Sequence, residues 1–174
     1  GRSEPIHISA IPSSKKGNSG NIKNMVFKNI NAKSESGILI FGHEERKIEN
    51  INIDGLKLKI LEGKYTLKYG GNFDLRPTYS TSKSIFKNDI PALYAKGVNG
   101  LRINDIILGW ENPKSNFFTN GIEIENFENI LITNYDVSAA FEMKSLYDIK
   151  LSKGKNYKLV NDLSLSKQTK ILYP

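Results

Sequence analysis

A nine-residue pattern of apolar and polar positions recurs along this chain. Large apolar residues stand at offsets zero, three, five and eight from the start of each copy. Four clear copies and one degenerate copy begin at Ile22, Ile48, Val98, Phe127 and Leu146. Internal repetition with a period of about 20–50 residues is typical of stacked repeat architectures. The pattern therefore predicts a fold in which similar units lie on top of one another.

The two middle apolar positions of each copy have the period of a β-strand. Residues two apart, such as Met25 and Phe27, place their side chains on one face of a strand. The three-residue steps on either side are too long for strict alternation, so they indicate bends. A second short strand is predicted before most copies, within residues 5–9, 37–41, 91–95, 121–125 and 140–144. Each repeat is therefore predicted to be strand, bend, strand, bend.

This unit predicts an all-β fold, a right-handed parallel β-helix of about five coils. A two-strand unit cannot bury its apolar face alone, whereas parallel stacking of several units forms a continuous core. The predicted coils occupy residues 1–154 with a loop excursion at 63–89, and residues 155–174 form a cap or tail. The first coil begins part-way through the pattern, so we expect the helix to be truncated at its N-terminal end. A β-sandwich would not explain the shared spacing, and the leucine-rich repeat pattern is absent.

Polar residues recur at the predicted bends. They stand at offset two (Asn24, Asn50, Asn129, Asp148) and at offset seven (Asn29, Asp105, Asn134). Asparagine tolerates the left-handed backbone of tight bends. Amide side chains that lie above one another in a parallel stack can also form hydrogen-bonded ladders. We therefore interpret these residues as structural rather than catalytic.

Composition adds few constraints on function. The formal charge of +7 favours polyanions such as acidic polysaccharides, but the lysines are mostly spread singly, as in a solvated surface. We therefore expect no nucleic-acid partner. No membrane contact is expected either, because no apolar run approaches the roughly 18 residues that a spanning helix needs. The absence of cysteine excludes disulfides and thiolate metal sites, and we expect neither a metal nor a cofactor.

Candidate binding residues lie where the repeat is interrupted. The long excursion contains Asp74 and Arg76 among aromatic residues, a combination that suits sugar recognition, although the two could also pair within the loop. Trp110 precedes a shorter excursion and could be a sugar-stacking platform or a plug for the core. Glu123 and Glu125 lie two apart on one strand, so both should face outward about 7 Å apart. That spacing suits an inverting glycosidase, but outward acids on a strand are ordinary.

Several of these segments resemble family 28 glycoside hydrolases, the polygalacturonases and rhamnogalacturonan-type pectinases. The resemblance lies in residues 5–9, 20–30, 36–40 and 48–51, and residues 71–77 with 90–94 are similar to bacterial members in particular. It covers roughly residues 5–140. It implies a pectin-type substrate, an extracellular or periplasmic location and the β-helix fold. The substrate-binding residues that we infer are Asp74, Arg76, Tyr94 and Trp110.

The sequence departs from the catalytic part of that family. The Asn-Thr-Asp, Asp-Asp, Gly-His-Gly and Arg-Ile-Lys motifs are all missing, so no catalytic residue is carried over. The chain resembles the coils that follow those motifs. We therefore expect a C-terminal β-helix segment of a pectin-type glycoside hydrolase that is inactive alone. The alternative is a non-catalytic carbohydrate-binding, adhesin or spike β-helix. We also expect self-association through the exposed N-terminal coil.

Overall fold

A computed structural model describes residues 4–11, 20–43, 46–64, 90–111, 113–116, 118–137, 147–161 and 171–173. These residues form nine β-strands and no long helix. The strands are β1 (His7–Ala10), β2 (Lys23–Ser34), β3 (Ile38–Gly42), β4 (Ile48–Leu61), β5 (Leu93–Glu111), β6 (Ile122–Asp136), β7 (Ile149–Ser152), β8 (Lys155–Val160) and β9 (Ile171–Leu172). The all-β prediction is confirmed.

The strands pair in parallel and curl round an axis. One series of pairings runs β1–β3–β5–β6–β7–β9, and a second runs β2–β4–β5–β6–β8. The long strands β5 and β6 belong to both series, because their first residues continue the β1–β3 side and their later residues continue the β2–β4 side. A parallel connection cannot be a tight hairpin. Each pair of neighbouring strands is therefore joined by a longer connection.

The register places the four clear copies of the pattern directly beside one another. Met25 lies opposite Ile51, Ile51 opposite Leu101, and Leu101 opposite Ile130. From β4 to β6 these inward residues are at most 3% exposed and belong to one continuous core. The predicted inward direction of these apolar residues is therefore confirmed. Burial of aligned aliphatic side chains, at about 25 cal/mol per Å², is the main force that holds the strands together.

The bends contain left-handed residues, as the polar positions predicted. At offset two, Asn24, Asn50 and Asn129 have φ between 54° and 60°, and Gly100 occupies the equivalent place with φ of 78°. The Asn50 Nδ2 donates to the Asn24 Oδ1 at 3.1 Å, and the Asn129 Nδ2 donates to the Asn99 Oδ1 at 2.8 Å. The offset-seven residues (Asn29, Asp105, Asn134) are also left-handed. These amides therefore both permit the bend and link adjacent strands.

The prediction for the degenerate fifth copy is wrong. Ile149 and Leu151 lie opposite Ile122 and Ile124, so they continue the short preceding strand and not the nine-residue pattern. The pattern continues instead in β8, where Tyr157 lies opposite Ile130. The left-handed bend residue is accordingly Asn156, whose Nδ2 donates to the Asn129 Oδ1 at 3.2 Å, and not Asp148. The predicted strand at 140–144 and most of the 63–89 excursion lie outside the described residues.

Candidate functional site

The four predicted substrate-binding residues fall into two groups. Asp74 and Arg76 lie in residues 65–89, which the structure does not describe. Tyr94 is 2% exposed and Trp110 is 6% exposed, and both belong to the buried core cluster. Rings buried to this extent offer almost no face to solvent on which a sugar could stack. The position of Trp110 fits its interpretation as a plug rather than as a platform.

Glu123 and Glu125 lie on the outer side of β6, as predicted, and both are engaged with lysines. The Glu123 Oε1 accepts from the Lys150 Nζ at 2.8 Å. The Glu125 Oε1 lies 3.1 Å from the Lys153 Nζ and 3.4 Å from the Lys96 Nζ. These lysines come from the strands on either side of β6 and from the bend that follows β7. The two carboxylates are therefore parts of ion pairs that connect β6 with β5 on one side and with β7 and the bend after it on the other.

The charge environment of Glu125 is unsuited to a general acid. Partial burial raises its pKa, but hydrogen bonds and charges from Lys153, Lys96 and Tyr94 outweigh burial and leave the pKa below the usual glutamate value. The Tyr94 hydroxyl donates to the Glu125 Oε2 at 3.0 Å. The acid of a glycosidase must hold a proton near neutral pH, which requires a raised pKa. Glu125 therefore fits a structural ion pair better than proton transfer.

A surface concavity lies on the outer face of β4, β5 and β6. Its volume is about 240 Å³, and its outward lining side chains are Asn52, Asp54, Arg102, Asn104, Leu131 and Thr133. Arg102 is exposed, and the others are half-buried. Three neighbouring strands contribute to this lining because the register places Arg102 between Asn52 and Leu131. The concavity therefore combines one cation with several hydrogen-bonding groups and one apolar side chain.

Hydrogen bonds fix the polar wall of this concavity. The Asn104 Nδ2 donates to the Asp54 Oδ1 at 2.8 Å. The Asn104 Oδ1 in turn accepts from the Thr133 hydroxyl at 2.7 Å and from the Asn134 Nδ2 at 3.2 Å. Side chains held in this way lose little rotamer freedom when a ligand binds. The wall is therefore preorganised, while the guanidinium of Arg102 stays at the surface.

The concavity has a signal in the sequence that lies in the repeat and not in any catalytic motif. Its outward residues stand at offsets four and six of three successive copies of the pattern. They are Asn52 and Asp54, Arg102 and Asn104, and Leu131 and Thr133. Once the copies are aligned, equivalent outward positions of adjacent strands form columns. Neighbouring residues within one column lie about 4.8 Å apart. A polar column with an arginine could therefore have been recognised from the repeat alone.

Comparisons with protein-family models, with curated proteins and with solved structures gave no match to this chain. Within the described ranges, no group of three or more histidine, cysteine or acidic residues could hold a metal ion. No helix in that same part of the chain is long and apolar enough to cross a membrane.

Proposed function

We propose that the parallel strands form a right-handed β-helix of about five coils. Five successive layers support this proposal: β1 with β2, β3 with β4, β5, β6, and β7 with β8. Every layer contributes a strand to both series of pairings, and the apolar residues of successive layers share one core. Left-handed asparagines recur at the same corner of the layers, as expected for a chain that turns at a fixed point in each coil.

We propose further that this β-helix binds an acidic polysaccharide on its outer face, as a segment of a pectin-type glycoside hydrolase. The observation that carries this proposal is the concavity around Arg102. Guanidinium groups bind carboxylates with two parallel hydrogen bonds, and amide and hydroxyl side chains match sugar hydroxyls. Arg102, Asn52 and Thr133 supply these groups together. The half-buried Leu131 adds an apolar surface for the CH face of a sugar ring.

The charges near the concavity support an anionic ligand that lies across the strands. Lys158 lies two strands from Arg102 in the same outward column, which places their Cα atoms about 10 Å apart. Asp54 is the one acidic side chain of the lining, and Lys28 lies opposite it on β2. A ligand with repeating carboxylates, such as an oligogalacturonide, could engage Arg102 and Lys158 at once, whereas a neutral sugar would gain no charge attraction from either.

Calorimetric titration with an oligogalacturonide tests this proposal. We expect saturable binding that weakens with added salt, because the ligand and Arg102 attract each other electrostatically. Arg102→Gln should weaken binding about tenfold, since a hydrogen bond to a charged group contributes on the order of 1.5–3 kcal/mol and part of it survives in glutamine. Lys57→Gln is the matched control, because Lys57 is an exposed cation of β4 that lies beyond the Gly55 bend and outside the lining of the concavity.

Two results would contradict the proposal. Native protein that gives no heat at about millimolar oligogalacturonide would refute binding, since the Kd would then exceed the range of a specific site. Equal weakening by Arg102→Gln and Lys57→Gln would instead indicate a diffuse charge effect. A neutral oligosaccharide of the same length serves as the ligand control, and we expect it to bind much more weakly than the acidic one.

A further inference from the structure

The outward side chains of the concavity stand in two columns of different chemistry. Asn52, Arg102 and Leu131 form the first column, and Asp54, Asn104 and Thr133 form the second. The columns run side by side along the stack, because residues two apart on a strand point to the same face. The cation of the lining lies in the first column and the carboxylate in the second. A ligand that lies across the strands therefore meets different groups along its two edges.

The hydrogen bonds of the second column have a fixed direction. An ionised carboxylate has acceptors only, so the amide nitrogen of Asn104 faces Asp54, to which it donates at 2.8 Å. The amide oxygen of Asn104 is thereby turned to the next strand, where it accepts from the Thr133 hydroxyl at 2.7 Å and from the Asn134 Nδ2 at 3.2 Å. Asp54 therefore sets the orientation of Asn104, and Asn104 makes the Thr133 hydroxyl a donor within the wall.

This direction decides what the second column offers to a ligand. The Thr133 hydroxyl uses its one hydrogen on Asn104, so its oxygen is left as an acceptor. Among the residues that the structure describes, Asn104 is the one donor to the Asp54 carboxylate, and it contacts the Oδ1. The Asp54 Oδ2 is therefore available to a donor of the ligand. The second column as a whole favours ligand hydroxyls that donate at Asp54 and Thr133.

The first column offers the opposite chemistry at Arg102. A guanidinium has five N–H donors and no acceptor, so it favours an acceptor on the ligand. Arg102 and Asp54 lie on adjacent strands, but within the described residues they form no ion pair with each other. The two opposite charges are therefore both available to a ligand. A carboxylate of the ligand fits Arg102, and a hydroxyl on its other edge fits Asp54.

We infer that Asp54 is a specificity residue of the proposed sugar site. It accepts a ligand hydroxyl beside the carboxylate that binds Arg102, and Asn104 positions it for this contact. The inference rests on the proposed binding of an acidic polysaccharide, and it narrows the ligand to a chain with carboxylates on one edge and free hydroxyls on the other. An acetylated hydroxyl has no hydrogen to donate, so the Asp54 carboxylate would be covered without a partner, which is unfavourable.

Substitution of Asp54 distinguishes this contact from a general charge effect. Asp54→Asn removes a negative charge, so a polyanion should bind more tightly if charge alone matters. Asparagine keeps an oxygen that can accept from Asn104, so the wall is retained. A neutral acceptor nevertheless forms a weaker hydrogen bond with a ligand hydroxyl than a carboxylate does. We therefore expect Asp54→Asn to weaken oligogalacturonide binding about threefold in calorimetric titrations.

Asp105→Asn is the matched control for the change in charge. Asp105 is an exposed acid of β5 outside the lining of the concavity. Its φ of 53° is a left-handed conformation that asparagine tolerates as well as aspartate does. We expect Asp105→Asn to leave the affinity unchanged or to raise it slightly. Circular dichroism of each variant checks that the β-structure is retained.

An oligogalacturonide of the same length with acetylated ring hydroxyls tests the contact from the side of the ligand. We expect acetylation to weaken binding to the native protein about tenfold, because a hydrogen bond to a charged group is lost. In Asp54→Asn the loss should shrink to about threefold, because the substitution and the acetylation remove the same hydrogen bond. The acetylated ligand should therefore bind the two proteins about equally.

The outcomes distinguish this inference from the proposed function. Native protein that binds neither oligosaccharide would refute both. Native protein that binds the oligogalacturonide, together with an Asp54→Asn variant that binds it equally or more tightly, would leave sugar binding in place and overturn the role of Asp54. The same loss on acetylation in both proteins would also overturn that role, because the acetyl group would then meet another part of the surface.

Discussion

The left-handed asparagine corner gives a stability prediction with an unusual sign. Asn129 has φ of 57° and takes part in two ladder hydrogen bonds, to Asn99 and from Asn156. Asn129→Gly removes both bonds, and for exposed amides each contributes near the lower limit of about 0.5–1.5 kcal/mol. We expect a loss of about 1 kcal/mol in the free energy of unfolding. Glycine itself adopts this φ without strain.

Asn129→Ala loses the same two bonds and adds a cost that glycine does not have. A Cβ in the left-handed region costs roughly 1–2 kcal/mol, of which the stiffer unfolded chain of alanine returns about 0.5–1 kcal/mol. The Asn129→Ala variant should therefore be less stable than the Asn129→Gly variant, by about 0.5–1 kcal/mol. In an ordinary extended strand the order is reversed, because glycine costs about 0.5–1 kcal/mol relative to alanine.

Urea unfolding followed by the fluorescence of Trp110, the only tryptophan, measures these differences. The matched control is Asn31, an exposed asparagine of β2 that is not among the left-handed residues. We expect Asn31→Ala to be more stable than Asn31→Gly. The midpoints should shift without a change in the slope against urea, which is the sign of a change in stability alone. The same order of glycine and alanine at both positions would refute the corner argument.

Two further predictions concern the core and the ion pairs. Ile53→Ala should lower the free energy of unfolding by about 2–5 kcal/mol. The loss should exceed that of Phe27→Ala, although phenylalanine is larger, because Ile53 is 1% exposed and Phe27 is half-buried on β2. Equal losses in the two variants would contradict this prediction. The pKa of Glu125 lies below its usual value, so its ionised form stabilises the fold above the usual glutamate range, and this contribution is lost as pH falls through the lowered pKa. As pH falls, urea unfolding should show a smaller loss of stability for Glu125→Gln than for the unsubstituted protein. An equal loss in both proteins would count against this role.

The repeated spacing predicted the inner half of the fold well because burial selects the residue type there. Ile51, Leu101 and Ile130 lie in one buried column and need no information beyond their sequence to be aligned. The prediction failed at the last layer because a period-two pair occurs both in the short strands and in the nine-residue pattern. Ile149 and Leu151 form such a pair in β7, which belongs with the short strands. The nine-residue pattern is degraded in β8, where Tyr157 is 43% exposed.

The outer half was harder to predict because polar partners depend on the register between distant segments. The sequence indicated that Glu125 faces outward, but not that Lys96, Lys153 and Tyr94 converge on it. The length of chain between layers varies with the excursions, so sequence separation alone does not identify neighbours. Tyr94 is a predicted sugar contact, but it is only 2% exposed because it packs among neighbouring strands that no local pattern identifies.

The distribution of the lysines bears on the proposed sugar binding. Between the layers, lysines are paired with acids: Lys47 and Lys155 with Glu128, and Lys150 with Glu123. The net charge of +7 is therefore unevenly distributed, because these lysines face acids whereas Arg102 is exposed between Asn52 and Leu131. If polysaccharide binding depended on net charge alone, every lysine substitution would weaken it equally. If it depends on the concavity, Arg102→Gln should remove most of the sugar affinity, while Lys57→Gln should leave it unchanged.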